Sequence, residues 1–492
     1  MSREIQDRGR LNRPAAFAAA PMLLLLAGCV TVGPDYKKPD AAAPPAFKEL
    51  QGWKSASPAE TADKGAWWSV YHDPELDRLE RMVDVSNQTV KSYEAQYRAA
   101  VAAVGEARAG LFPTATLTPG LTRGNQSAGG GEGRATNTIY SLTGSTNWDL
   151  DVWGRIRRQV EANVAAAQVS AADLANAKLS AQATLATDYF DLRAEDALAT
   201  LLTETAAAYR RALAIVENQY RAGTTASTDV ATARAQLQSA EAQLVGVGVQ
   251  RQQYEHAIAM LTGHAPSEIT IPPKPLAIAV PVVPAGVPSA LLERRPDIAA
   301  AERQMRQENA LIGVQIAAYY PDVTLSGQVA LDSIIFGRLF NAASRVWSLG
   351  AAAGETLFSG GARPAAVEAA RANYDQAVAT YRQTVLTGLQ QVEDALSTLR
   401  TLERQAAAEA VAVDSARKAV EVTLNAYRAG TVAYTSVITE QTLLLADQQT
   451  ALSIQQSRLV ASVSLIQALG GGWSSADLPG GPALLKANRV FP

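Results

Sequence analysis

Two stretches of this chain, 113–150 and 321–358, alternate polar and apolar residues with period two, while most of the remainder repeats its apolar positions every three or four residues. After Pro113, Ala115, Leu117 and Leu121 oppose Thr114, Thr116 and Thr118, and after Pro321, Val323, Leu325, Val329 and Leu331 oppose Asp322, Thr324, Ser326 and Gln328. From Tyr140 a strand carries Tyr140, Leu142, Trp148 and Leu150 on one face and Ser141, Thr143, Ser145, Asn147 and Asp149 on the other. A fourth strand, with weaker alternation, is predicted from Val346 to Phe358. Residues 129–133, all glycine but Glu132, and residues 332–341 read as exposed loops.

The helical stretches are long. Between 154 and 220, Val160, Val164, Ala167, Ala171, Leu174, Leu185, Tyr189, Leu192, Tyr209, Leu213, Val216 and Tyr220 keep coiled-coil spacing with no Pro or Gly among them after Gly154. A helix of about 67 residues spans about 100 Å, and two shorter ones, from the Asp73-Pro74 cap to near Leu111 and from beyond Gly223 to near Leu261, span about 54 Å each. Helices are predicted again from Ala362 to Tyr427 and from Tyr434 to Leu469.

The pattern occurs twice. Tyr220-Arg221-Ala222-Gly223-Thr224 recurs as Tyr427-Arg428-Ala429-Gly430-Thr431, 207 positions later, and Leu150, Gly154, Val160 and Glu161 find Leu357, Gly361, Val367 and Glu368 at the same offset. Phe112-Pro113 and Thr116-Leu117 find Tyr320-Pro321 and Thr324-Leu325 at 208. Such agreement indicates a tandem duplication. The chain divides into a signal segment (1–28), an N-terminal segment (29–73), a first repeat (74–270), a stiff Pro-rich linker (271–288), a second repeat (289–470) and a loosely ordered tail (471–492). Gly223 and Gly430 stand where the long helices stop and reverse.

Four strands cannot close on themselves, since the smallest membrane barrels need about eight. An open edge in lipid leaves backbone groups unpaired. Several copies must therefore share one barrel, and three copies give twelve strands, with Trp148, Trp153, Trp347 and Phe358 as interfacial aromatics. The fold class is thus mixed: long α-helical coiled coils plus four β-strands per protomer in a barrel shared between copies.

Of 492 residues, 48% are hydrophobic and 18% charged, the balance of a folded chain. Lys plus Arg total 44 against 47 Asp plus Glu, so the basic excess that nucleic-acid binding needs is missing. One Cys and three His, at 72, 256 and 264, supply neither a disulfide framework nor a zinc set. No nucleophile or acid/base set with recognisable spacing stands out, which points away from an enzyme. Arg3, Arg8, Arg10 and Arg13 precede a short apolar run from Ala15 to Ala27, the layout of a secretory signal. That run ends Leu26-Ala27-Gly28-Cys29, which resembles the lipobox of bacterial lipoproteins, in which the thiol is acylated. Cys29 is then a lipid anchor, and Val30, in place of the Asp that favours inner-membrane retention, directs it to the outer membrane.

The strings Gly33-Pro34-Asp35-Tyr36, Trp67-Trp68 with Asp73 and Leu76, Ala259-Met260-Leu261-Thr262-Gly263, and Val287-Pro288-Ser289 through Leu291-Leu292-Glu293-Arg294-Arg295-Pro296-Asp297-Ile298 to Ala301-Glu302 span most of the chain. On them the sequence resembles the outer-membrane efflux protein (TolC-like) family, in its NodT-type lipoprotein branch. The resemblance implies a homotrimer with a shared 12-stranded barrel above a periplasmic helical tunnel. It also implies a passive exit duct working with a periplasmic membrane-fusion adaptor and an inner-membrane resistance-nodulation-division transporter. No cofactor or metal is implied beyond the lipid on Cys29.

By the same resemblance Tyr427 and Asp229 form a hydrogen bond that closes the tip. Tyr220, Arg221, Gly223, Thr224, Arg428, Gly430 and Thr431 lie where the adaptor docks. Relatives carry an Arg and two Asp near the second tip; this chain has Val432, Ser436 and Thr439, which argues against an acidic aperture ring. Arg294-Arg295-Pro296-Asp297 reads physically as a helix start, with Pro in the first turn and Asp at the positive end. A duct for protein secretion and a non-channel coiled-coil lipoprotein remain alternatives at this level.

Overall fold

The computed structural model describes residues 31–39, 44, 46–50, 66–127, 134–283 and 288–487. Cys29, the signal segment and the glycine-rich loop 129–133 lie outside the described residues. In chain order the main elements are α1 (Pro74–Ser86), α2 (Gln88–Ala109), β1 (Thr114–Ser127), β2 (Arg134–Leu150), α3 (Arg155–Arg221), α4 (Ser227–Leu261), α5 (Pro296–Ala317), β3 (Asp322–Ser333), β4 (Arg345–Gly354), α6 (Ala362–Arg428), α7 (Tyr434–Ala468) and α8 (Gly481–Ala487). The long helices α3 and α6 have 67 residues each, and α4 and α7 have 35 each. Each pair starts and ends at an offset of 207, so the repeat in the sequence is a repeat of elements.

The helices lie side by side in a layer that changes partners halfway along. On the strand side the order is α2, α3, α5, α6; beyond the middle it is α4, α3, α7, α6. α3 and α6 run the full length, and in each half two short helices stacked end to end flank them. Where the short helices meet, Leu76, Leu79 and Val83 of α1, Tyr189, Phe190 and Leu192 of α3, Tyr381 and Leu396 of α6 and Leu459 and Val463 of α7 form the main buried cluster. Each fully enclosed large side chain there contributes about 1.5–3 kcal/mol.

Four sequence expectations change. The single helix from Asp73 to Leu111 is two helices, broken at Asn87, whose side chain accepts from the Val90 amide (3.0 Å) and donates to the Leu261 carbonyl (2.7 Å). A short amide satisfies orphan backbone groups at helix ends better than it sustains a helix interior. The fourth strand ends at Gly354 rather than Phe358, because its partner β3 begins at Asp322, which pairs with Gly354. The Pro-rich stretch is fastened to the helices where it begins: Ile271 is buried, its amide donates to Glu255 (2.7 Å), and the Pro272 carbonyl accepts from buried Arg193 (2.8 Å). The tail carries a helix of its own, Gly481–Ala487, with Leu484 buried against Val104, Val164 and Ala167.

The strands form one antiparallel sheet in the order β1-β2-β3-β4, leaving β1 and β4 as open edges. Its register aligns Leu117, Gly144, Val329 and Trp347 in one row and Pro119, Leu142, Leu331 and Arg345 in the next such row. Most of the large apolar strand side chains therefore share a face, from Leu150 and Val323 at the helix end to Leu121 and Tyr140 at the far end. The other face carries Thr116, Ser145, Ser326 and Gly350 in one row and Thr118, Thr143, Ala330 and Val346 in another, hydroxyls predominating.

Candidate functional site

At the far end of the helices, α3 and α6 finish in identical turns. The Gly223 amide donates to the Tyr220 carbonyl (2.9 Å) and the Thr224 amide to Gln219 (2.9 Å); Gly430 donates to Tyr427 (2.9 Å) and Thr431 to Ala426 (3.0 Å). This is the helix-ending arrangement in which the residue after the cap adopts the left-handed conformation, and both glycines have φ of 75°. The Thr224 and Thr431 hydroxyls back the turns by donating to the same carbonyls. Tyr220, at 50% exposure, and the guanidinia of Arg221 and Arg428 stand outward, each guanidinium donating to an asparagine of its own helix, Asn218 or Asn425.

Between the two turns Tyr427, Tyr434 and Val437 of the second half pack on Val216 and Ala233 of the first, the two tyrosine rings 5.2 Å apart. The direct Tyr427–Asp229 bond is not formed in this conformation. Asp229 accepts instead from Thr225 of its own turn, and the buried Tyr427 hydroxyl has no hydrogen bond of good geometry. The pair is nonetheless near enough to interact: burial raises the Tyr427 hydroxyl, Thr225 lowers it and the Asp229 charge raises it. Tyr434 is pushed up to about 12, chiefly by burial and then by Tyr427, Tyr209 and Asp229. Ser436 and Thr439 are exposed, so this tip presents hydroxyls where the resemblance implies acids.

At the opposite end of the helices, aromatic residues mark the foot of the sheet. Trp153 stacks on Tyr320 (4.7 Å) and donates to the Pro321 carbonyl (2.9 Å), while Trp148 donates to the Leu111 carbonyl (3.0 Å). Indole and phenol rings with one polar atom satisfied suit a membrane–water boundary. The apolar face between this level and Tyr140 covers about twelve residues of strand, a height of about 25–30 Å after the tilt usual in such sheets.

Residues 31–36 form a strap that the sequence marked only as a family string. The Val32 amide donates to the Trp153 carbonyl (3.1 Å), and Arg158, 4% exposed, donates to Val32 (3.1 Å), Gly33 (3.2 Å) and the Asp35 carboxylate (2.9 Å). Asn309 donates to Pro34 (2.9 Å) and the Tyr36 hydroxyl to Glu302 (2.8 Å). Gly33 lies directly on Gly313, where a side chain on Gly33 would collide. The Arg295 motif has a comparable role. Its guanidinium grips Asp297 through two bonds (3.0 and 2.6 Å) and donates to the Ala468 carbonyl (2.9 Å), closing the end of α7 over the start of α5. The only hint of these fasteners in the sequence is the placement of arginines at helix starts, since the partners that tie them across the fold, Asp35 for Arg158 and Ala468 for Arg295, lie 123 and 173 residues away.

A sheet with a lipophilic face and a hydroxyl-lined face, carried on a helical layer about 100 Å long by its rise per residue, defines a channel-forming membrane protein. The outer membrane efflux protein family model matches residues 81–264 and again 287–471, once for each half, and the chain belongs to that family. It is similar to the solvent efflux pump outer membrane protein SrpC of Pseudomonas putida, 32% identical over 482 residues that cover 93% of this chain and 99% of SrpC. It is 29% identical to the toluene efflux pump outer membrane protein TtgC of Pseudomonas putida, over 93% of this chain and 95% of TtgC. The solved outer-membrane channel OprN superposes with a TM-score of 0.84 at 29% identity, covering 90% of this chain and 99% of OprN. The protein is an outer-membrane channel of the efflux class.

Proposed function

We propose that three copies close their sheets into one 12-stranded barrel and their helices into one tunnel, forming the passive exit duct of a tripartite pump. The observation that carries this is the sheet itself: four strands with two open edges and a continuous apolar face have no stable arrangement in a bilayer except shared closure. A periplasmic adaptor docks at the paired turns of Tyr220, Arg221, Gly223 and Thr224 and of Arg428, Gly430 and Thr431. An inner-membrane resistance-nodulation-division transporter supplies the energy. An acyl chain on Cys29 anchors the chain, and the strap supports this reading by holding Thr31, two residues on, beside the Trp153 level. The native mass of the processed protein in mild detergent tests the assembly, with a trimer expected and a monomer refuting the shared barrel.

The gate is the apolar contact between the two turns. Because the Tyr427 hydroxyl has no hydrogen bond of good geometry among the described residues while its ring is buried, Tyr427→Phe is expected to leave single-channel leakage unchanged. Tyr427→Ala removes about 3 kcal/mol of packing per protomer and raises leakage. A large rise with Tyr427→Phe would show that the hydroxyl bond to Asp229 holds the closed state instead.

A further inference from the structure

The sheet's far end, away from the helices, carries a chemistry that conduction does not use. Arg123 pairs with Thr138, and Arg345 with Leu331, in rows that belong to the apolar face. Arg338 stands in the turn Phe336–Arg338 of the loop between β3 and β4. All three side chains are exposed, and none has a carboxylate partner among the described residues. The one acid described at this end, Asp332, pairs with Ser141 in a row of the opposite, hydroxyl-lined face. Around the arginines the same loop exposes Ile334, Ile335, Phe336 and Phe340. Phe336 lies edge-on against Tyr140 (5.3 Å), so the loop folds towards the apolar face.

We propose that this rim binds the phosphorylated headgroup of an anionic lipid in the outer leaflet, with the loop's apolar side chains among the acyl chains. Guanidinium forks match phosphate oxygens through paired hydrogen bonds, and arginines at the outer margin of an apolar belt sit at headgroup depth. The inference rests on the three-copy barrel. β1 and β4 are the open edges and run in opposite directions, so closure sets the outer end of β4, with Arg345, beside the outer half of the next copy's β1, with its Arg123. Each seam then presents Arg345 and Arg338 of one copy and Arg123 of the next as one phosphate-binding cluster.

The test uses the full-length protein in detergent, with diphosphoryl lipid A in mixed micelles as probe and phosphatidylethanolamine as the zwitterionic control; native mass is read on the same samples. The wild type is expected to bind lipid A in preference to the control. R123Q/R338Q/R345Q binds at least ~10-fold more weakly, and the triple Lys variant, which keeps the charge, recovers to within about threefold. Millimolar pyrophosphate, a headgroup mimic without acyl chains, does not displace the lipid. Equal binding by the Gln variant, equal binding of the zwitterionic lipid, or displacement by pyrophosphate alone each overturns the inference. A trimeric wild type with any of those results refutes the lipid site only, whereas a monomeric wild type refutes the barrel and the seam together.

Discussion

Glu80 on α1 is fully enclosed, and neither carboxylate oxygen has a hydrogen-bond partner among the described residues. Burial, and then the like charges of Asp84 and Asp77, push its carboxyl well above the ordinary carboxylate value. Asp84 has a cation of its own, Lys178 of α3 (3.1 Å), whereas Glu80 has none among the described residues. A carboxyl whose folded pKa exceeds its unfolded value contributes stability that is fully present below that unfolded value of 4.5 and lost as pH rises through the folded pKa. Glu80→Gln should therefore flatten the fall in melting temperature with rising pH and add about 1–3 kcal/mol at neutral pH. Curves parallel to wild type would show that Glu80 is partnered. Arg295 makes the opposite case, since its charge is used in full. Arg295→Lys keeps the cation but loses the fork on Asp297, and is expected to lower stability by about 1.5–3 kcal/mol, read from the urea midpoint. Neither role was legible in the sequence. Glu80 sits in an ordinary helical pattern, and whether a carboxylate is drowned or solvated depends on what packs over it.

At the scale of elements, the duplication makes a controlled comparison. Gly223 and Gly430 turn the chain in open space, whereas Gly263 and Gly470, also with positive φ, end α4 and α7 directly against the carbonyl oxygens of Ser86 and Arg294. Alanine at the first pair meets only the left-handed backbone penalty of about 1–2 kcal/mol. Alanine at the second pair must in addition displace the backbone of a neighbouring helix junction, so Gly263→Ala and Gly470→Ala should lower the thermal midpoint well beyond Gly223→Ala and Gly430→Ala. Equal effects would show that the junction yields. The sequence marked Gly223 and Gly430 as helix ends, because left-handed turns favour glycine locally. It could not separate a crowded turn from a free one, since the crowding comes from segments 176 and 177 residues away. The break at Asn87 was missed for the same reason: its partner, the Leu261 carbonyl, lies 174 residues on.

For the whole molecule the decisive feature is the two-faced sheet. Leu349 lies on the apolar face near mid-height and Ser348 on the hydroxyl face beside it. A lysine at the first position would sit in lipid at about 2–4 kcal/mol, whereas at the second it would face the lumen. Leu349→Lys is expected to reduce the yield of trimer, and Ser348→Lys to leave the trimer intact while shifting its ion selectivity towards anions in planar bilayers. The reverse pattern would invert the assignment of inside and outside.

Local pattern by itself determined much of this protein: the two long helices, the four strands, the reversals at Gly223 and Gly430 and a strand count too small for one copy to close. Helical and strand periods follow from local backbone geometry, and a strand count too small for closure is simple arithmetic. The strap across Trp153, the Arg295 clasp, Asp229 held by Thr225 instead of Tyr427, and the docking of Leu484 were decided only by the tertiary structure. Each of the long-range contacts joins groups more than a hundred residues apart, and at the tip the choice between two acceptable partners turns on small differences in packing. The alternation of β4 shows both contributions at once. Alone it is too weak to orient, but paired with β3 it puts Trp347 and Leu349 on the side that faces lipid, because register transmits the stronger pattern of one strand to its neighbour.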